Sequence, residues 1–340
     1  MKRRAALALV LALGVLAVFV LAVGWEEVFD AVGQAAPGIY ALAFVSTGIC
    51  FACRSAVWYR VLAVVDRPRP YWLISSVFLT ASFAKYVAPY GQVTSGVGVA
   101  AIVSRYTDTE YEESLAAVLS ADVLNYLPYY TLGGASALYV FTIHSPPVDL
   151  RTHALPVLGL VGAIATAVAL LTLRRALVRT VFYRLVSTLR RGVGHVSERA
   201  ASRLTRENVE RRLEGFYTTL SLVSRDRRSM TVALVYAHLG WLALATTLYL
   251  SALALDAPVA FAVAMLVLAV SKLGFLVPTP GGLGGVEATI AAALVLLTPT
   301  TVTVAAAIAL LYRFATYWLT VFLGGGTSVA LTVTDPLPAE

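Results

Sequence analysis

Phe275-Leu276-Val277-Pro278-Thr279-Pro280-Gly281-Gly282-Leu283-Gly284-Gly285-Val286-Glu287-Ala288 separates two long apolar stretches, so prolines, glycines and a carboxylate fall where a membrane helix would otherwise run unbroken. In hydrocarbon, unpaired backbone N–H and C=O groups are costly. They are tolerated only where protein or a hydrated cavity supplies partners. A break of this kind predicts a place where something polar is held or moved, which points to transport or lipid handling.

The rest of the chain agrees on the solvent. Of its 340 residues, 59% are hydrophobic and 13% charged, and the mean hydropathy is +0.79, too apolar for a soluble globule of this size. Several uncharged runs reach the roughly 20 residues a helix needs to cross a bilayer, and strand-like alternation over about 10 residues is scarce. The expected fold is therefore all-α, a polytopic transmembrane helical bundle.

Candidate membrane segments are Ala5–Val23, Ile39–Val65, Tyr71–Ala88, Tyr90–Val103, Leu115–Phe141, Ala154–Leu173, Met230–Leu255, Val259–Val277, Gly284–Leu297 and Val302–Leu323. Tyr90–Val103 and Gly284–Leu297 are short and follow Pro/Gly breaks. Each is expected to pair with the preceding segment as a broken or re-entrant hairpin, giving about eight membrane helices. Lys2-Arg3-Arg4 before Ala5–Val23 also resembles a signal peptide, with Ala22-Val23-Gly24 as a cleavage site. The length of that apolar run and the spans that follow favour a retained first helix with a cytoplasmic N-terminus.

The single long polar stretch, between Leu173 and Met230, carries fourteen arginines from Arg174 to Arg228 against five acids. That balance gives it +9 and leaves −2 for the rest of a chain whose net charge is +7. The connector is expected to be cytoplasmic, dividing one transmembrane domain (1–340) into half-bundles 1–173 and 230–340 around residues 174–229. Parity supports the first hairpin, because only if Tyr71–Val103 enters and leaves on one side do both Lys2-Arg3-Arg4 and the connector lie inside. The hairpin around Pro278 then enters from the opposite side to the one around Pro89, as an inverted repeat requires. Within the connector, Leu177, Val181, Leu185 and Leu189, then Leu213, Phe216 and Leu220, have the spacing of amphipathic helices on lipid head groups. Simple enforcement of orientation is the competing reading.

The charges expected inside the bundle are Arg54, Lys85, Asp122, Lys272, Glu287 and Arg313. At mid-depth each costs about 2.5–3.5 kcal/mol, so they should face inward and pair: Asp122 with Arg54 or Lys85, Glu287 with Lys272 or Arg313. Two positive charges then remain. Such an excess suits an anionic ligand, above all a phospholipid or polyprenyl-phosphate head group. Around them, Pro278, Pro280, Gly281, Gly282, Gly284 and Gly285 form a break at which a half-helix N-terminus could present free N–H groups. The competing reading is tight helix packing, with Gly281 and Gly285 as a small-xxx-small contact. Glu287 is either a counter-charge or a coupling acid, and Asp122 with Asn125 and Pro128 is expected to bend its helix.

Cys50 and Cys53 form a lone Cys-x-x-Cys inside an apolar segment and are read as helix packing. The four histidines lack metal-ligand or triad spacing, and the glycine run lacks the strand context and Lys-Ser/Thr of a phosphate loop. No cofactor, no enzymatic activity and no nucleic-acid partner are expected.

Pro278-Thr279-Pro280-Gly281-Gly282-Leu283-Gly284-Gly285-Val286-Glu287-Ala288, followed by Leu311-Tyr312-Arg313, Tyr317-Trp318 and Gly324, resembles the lysylphosphatidylglycerol synthase transmembrane region, a flippase-like integral membrane family. The resemblance extends to Arg54, Trp58 and Arg60, to the Pro89/Gly91 break and to the basic connector. It implies a helical bundle with re-entrant pieces that moves lipids between leaflets. Some relatives continue into an aminoacyl-transferase domain, for which this sequence has no counterpart, so lysine transfer is not expected. Others work with glycosyltransferases. The chain departs from the pattern at Tyr90-Gly91-Gln92, where relatives tend to place a base and a Gly-Glu pair. The function expected is binding of an anionic lipid and assistance of its movement between leaflets, in the cell membrane. The alternative is a non-transporting scaffold or regulator of a lipid- or glycan-modifying enzyme.

Overall fold

The computed structural model describes residues 25–65, 69–87, 96–107, 111–144, 218, 221–222, 225–277 and 279–334. Among them all regular structure is helical. The principal elements are α1 (Trp25–Gly33), α2 (Pro37–Val65), α3 (Tyr71–Val87), α4 (Gly96–Tyr106), α5 (Tyr111–Tyr139), α6 (Arg227–Leu253), α7 (Phe261–Val270), α8 (Gly285–Leu297), α9 (Val302–Arg313) and α10 (Leu319–Thr334). Four helical stretches, Pro37–Val65, Arg227–Leu253, Pro280–Leu297 and Val302–Val333, are long and apolar enough to cross a membrane. The protein is a multi-pass helical membrane bundle. The break around Pro89, Ala154–Leu173 and nearly all of the basic connector lie outside the described residues.

The helices follow the apolar runs with few surprises. Proline at the first position starts α2, and α6 begins where Asp226 accepts a hydrogen bond from the Ser229 N–H at 3.0 Å. A cap of this kind satisfies one of the orphan donors of a first turn. Pro128 sits within α5, which continues past it. The last membrane helix reaches Thr334, well beyond the expected Leu323, with a π-helical turn at Phe314–Trp318 joining α9 to α10. Helix α1 was not among the expected segments. It is a short amphipathic piece that buries Val28 against Ala306 and Ala307 of α9 while Glu26, Glu27 and Asp30 stay exposed.

Antiparallel α2 and α6 form the spine. Ser46 Oγ donates to the Ala243 carbonyl at 2.7 Å, Thr47 and Thr247 share a hydroxyl contact at 3.2 Å, and the Ala36 N–H donates to the Ala254 carbonyl at 2.8 Å. Gly240 lets the two backbones close, because a Cβ there would stand 3.1 Å from Arg54 Cγ and 3.2 Å from Cys53 Cβ. Small residues and hydroxyl bonds are what holds helices together where lipid offers no hydrophobic drive. The same device joins α3 to α10, through Thr80–Thr327 at 3.1 Å and Gly324 against Leu79 and Phe83. Helix α5 lies across the middle, touching α2, α6 and α7. Charged side chains from six different segments are thereby brought toward one interior.

Candidate functional site: a glycine elbow beside two unpaired cations

Helix α7 stops at Val270 and the chain tightens into a 3-10 segment, Ser271–Leu276. A second, three-residue 3-10 turn, Pro280–Gly282, precedes α8, whose N-cap is Gly284. Gly281, Gly282 and Gly284 have φ of +58°, +67° and +80°. A side-chain-bearing residue pays about 1–2 kcal/mol in that left-handed region, which explains why glycine stands at all three. The loop closes on itself through Gly282 N–H to the Thr279 carbonyl at 3.1 Å, Leu283 N–H to the Pro280 carbonyl at 3.2 Å, and Thr279 Oγ1 to the Leu283 carbonyl at 2.8 Å. No side chain caps α8.

Gly281 and Gly285 do serve packing, but not against each other. A Cβ on Gly285 would run into the Gly274 carbonyl, and one on Gly281 into the Tyr317 ring. The close packing that the sequence offered as one alternative is therefore present at the break itself. Pro280, Gly281 and Gly282 are buried; Pro278 lies outside the described residues.

Arg313, at the end of α9, clasps this elbow. Its Nε donates to Glu287 Oε1 at 2.9 Å, a terminal guanidinium nitrogen (Nη2) donates to the Gly281 carbonyl at 2.8 Å, and the guanidinium lies 4.5 Å from the Tyr317 ring centroid. Arg313 is 4% exposed and Glu287 1%. Glu287 sits in the first turn of α8, where a negative charge also meets the positive end of the helix dipole. Its Oε2 has no hydrogen-bond partner. The guanidinium is engaged by the elbow's own carboxylate and carbonyl.

The other acid is taken as well. Lys85 Nζ of α3 lies 2.5 Å from Asp122 Oδ2 of α5, with the ammonium 5.8 Å from the Trp58 ring centroid. These side chains are 12% and 17% exposed, so removing one partner leaves a less thoroughly buried charge than at the elbow. Asp122→Ala is expected to cost about 3 kcal/mol, the low end for breaking a buried pair, read as a lower unfolding temperature of the purified protein.

Arg54 and Lys272 remain. Among the described residues neither forms an ion pair. Lys272 is held instead by aromatic rings, its Nζ 4.3 Å from the centroid of Tyr129, 4.9 Å from Phe275 and 5.4 Å from Tyr126. Arg54 stands on the same Tyr126 ring at 5.9 Å, and its buried Nε has no hydrogen-bond partner. Sharing one ring puts the two charges at most about 11 Å apart. At an effective dielectric near 20 they repel by about 1.5 kcal/mol or more. Each ring returns roughly 0.5–2 kcal/mol of cation–π attraction, which holds the cations in place without neutralising them.

The tyrosines were missed as site residues. Their signal was available: Asp122, Tyr126 and Tyr129 recur at helical spacing and so share one face of α5. Asn125, expected to help bend the helix and add polar groups to one side, is buried and donates to the Arg54 carbonyl at 3.4 Å.

Among curated proteins none matches the chain. The model of the family described as Lysylphosphatidylglycerol synthase TM region matches residues 5–324, nearly the whole sequence. With its glycine elbow, buried charge pairs and helical membrane architecture, the chain belongs to the lysylphosphatidylglycerol synthase transmembrane-region family.

Proposed function

We propose that the protein binds the anionic head group of a phospholipid or polyprenyl-phosphate lipid at Arg54 and Lys272 and assists its passage between leaflets of the cell membrane. The observation that carries this reading is the charge inventory. Among the described residues Asp122 and Glu287 are taken by Lys85 and Arg313, which leaves two mutually repelling cations, one with an unpartnered nitrogen, around a shared aromatic ring. A phosphate between them would relieve the repulsion and accept from the orphan donor. The elbow supports the same reading. The regular part of the Pro280–Leu297 stretch, α8, is 13 residues and about 20 Å at 1.5 Å per residue, so a hydrocarbon core of about 30 Å is approached only when the preceding turn is counted with it as one 18-residue stretch. We read it with α7 as a re-entrant pair that brings an uncapped helix start to mid-depth. In this arrangement the basic connector and N-terminus are cytoplasmic, and a lipid-modifying enzyme or glycosyltransferase is the natural partner to supply or consume the cargo.

Reconstituted protein is expected to accelerate the movement of a labelled anionic phospholipid across liposomes, and Lys272→Gln to cut that acceleration at least tenfold while leaving the unfolding temperature near that of the unaltered chain. Equal rates in protein-containing and empty liposomes would overturn the proposal.

A further inference from the structure

A second feature lies on the outside of α2, away from the buried charges. Between α2, the start of α3 and α6 is a crevice of about 310 Å³ lined by Cys53, Ala56, Tyr59, Arg60, Tyr71 and Tyr236, with Ala52 at its edge. Gly240 packs α6 closely against Cys53, and Tyr236, one helical turn earlier on α6, lines the crevice. The wall is preformed. Tyr71 Oη contacts Ser55 Oγ at 2.9 Å and donates to the Ala52 carbonyl at 2.6 Å, and its ring meets Tyr59 edge-on at a centroid distance of 5.7 Å.

Two features place this crevice at the same depth. Counted along the 29 residues of α2, Cys53 is two residues from the helix midpoint at Phe51 and Arg60 is nine. At 1.5 Å per residue these are offsets of about 3 Å and 13 Å, so with α2 centred in a hydrocarbon core of about 30 Å the crevice runs from near the midplane to the head-group boundary. Independently, Tyr71 and Trp72, 41% and 67% exposed at the first turn of α3, are the aromatic pair expected at that boundary. Around the crevice, Ile49, Val235 and Leu239 are about half exposed, as befits a surface wetted by lipid chains and not by water. Arg60 is exposed at the upper end and, among the described residues, forms no ion pair.

We propose that this crevice is a binding site for an anionic phospholipid of the surrounding leaflet, with the phosphate on Arg60 and one acyl chain lying along Ala56, Cys53 and Tyr236. The site is separate from the Arg54–Lys272 pair, which projects to the other side of α2, and it stands whether or not the protein transports lipid. A neutral lipid would fill the apolar part equally well. Selectivity for an anionic one resides in Arg60.

Cys53 is a built-in reporter. The chain has two cysteines, Cys50 buried and Cys53 partly exposed on the crevice wall. In nanodiscs, labelling of Cys53 by a membrane-permeant maleimide is expected to be at least threefold slower in phosphatidylglycerol-containing bilayers than in phosphatidylcholine alone, with a Cys53→Ser chain giving the Cys50 background. Arg60→Gln is expected to abolish the difference. Because bulk surface charge also slows thiol reactions, a slowing retained in Arg60→Gln overturns the proposal, as do equal rates in the two bilayers. Native mass spectrometry of the unaltered chain provides a second reading that involves no thiol. It should retain one more phosphatidylglycerol than the Arg60→Gln chain, and equal retention counts against the site.

Discussion

Replacing Arg313 with alanine is expected to destabilise the protein by about 3–5 kcal/mol, the cost of leaving a buried carboxylate without its counter-charge. The geometry argues for the upper part of that range. Glu287 is 1% exposed and its Oε2 is already without a partner, so loss of the 2.9 Å bond from Arg313 Nε would leave the whole carboxylate bare. The Gly281 carbonyl would lose its donor at the same time. Arg313→Lys should recover only part of the loss, since a single ammonium cannot reproduce two nitrogens placed on two separate acceptors. Glu287→Gln should also destabilise, though less than Arg313→Ala: its amide oxygen still accepts from Nε and the Gly281 bond survives, but the buried Arg313 guanidinium is left without a counter-charge. Thermal unfolding of the purified protein in detergent gives the order. If Arg313→Ala melts with the unaltered chain, the clasp is absent. Contrast with Lys272→Gln is informative: one variant should lose stability, the other transport.

Much of this arrangement could be read from the residues. Six interior charges, the break at Pro278–Gly285 and the helical membrane class follow from hydropathy and from the cost of polar groups in hydrocarbon. Pairing was legible only as alternatives. Asp122 could have met Arg54 or Lys85, and what decides for Lys85 is how α3 and α5 approach, a tertiary fact to which a separation of 37 residues gives no clue. The same holds for Glu287, which the sequence could assign to Lys272 or Arg313. Placement of Arg313 at the end of α9, opposite the elbow, settled it.

What stayed hidden has a common physical origin. Aromatic rings on an apolar helix look like ordinary core, so Tyr126, Tyr129 and Phe275 gave no charge signal although they hold Lys272. The π-helical turn at Phe314–Trp318 leaves no compositional mark either, yet it sets Tyr317 under both Arg313 and Gly281. Helix α1 is too short and too acidic to register as a membrane segment. Its amphipathic face becomes visible only once Val28 is seen against α9.

Gly285→Ala carries the second large expectation, a net loss of about 2 kcal/mol or more together with loss of lipid movement. Gly285 has helical backbone angles, so alanine brings no torsional strain and by propensity alone would gain up to about 1 kcal/mol. Sterics oppose that gain. The new Cβ would overlap the Gly274 carbonyl and stand 2.8 Å from Val277 Cβ, and a backbone carbonyl cannot rotate aside as a side-chain tip can. Overpacking of this kind costs roughly 1–3 kcal/mol when the neighbours can yield and more when they cannot. Gly48→Ala is the matched control, since Gly48 lies inside α2 with nothing within 4 Å of the added carbon, and there the same substitution should be neutral or stabilising. Gly285→Ala should therefore lower the unfolding temperature and Gly48→Ala should not. Function should divide them too: to admit the methyl group, Ser271–Leu276 must move away from α8, and Lys272, two residues before Gly274, moves with it off the Tyr129 and Tyr126 rings. If Gly285→Ala were as stable and as active as Gly48→Ala, the 3-10 segment would not rest on α8, and nothing in the elbow would hold Lys272 beside Arg54.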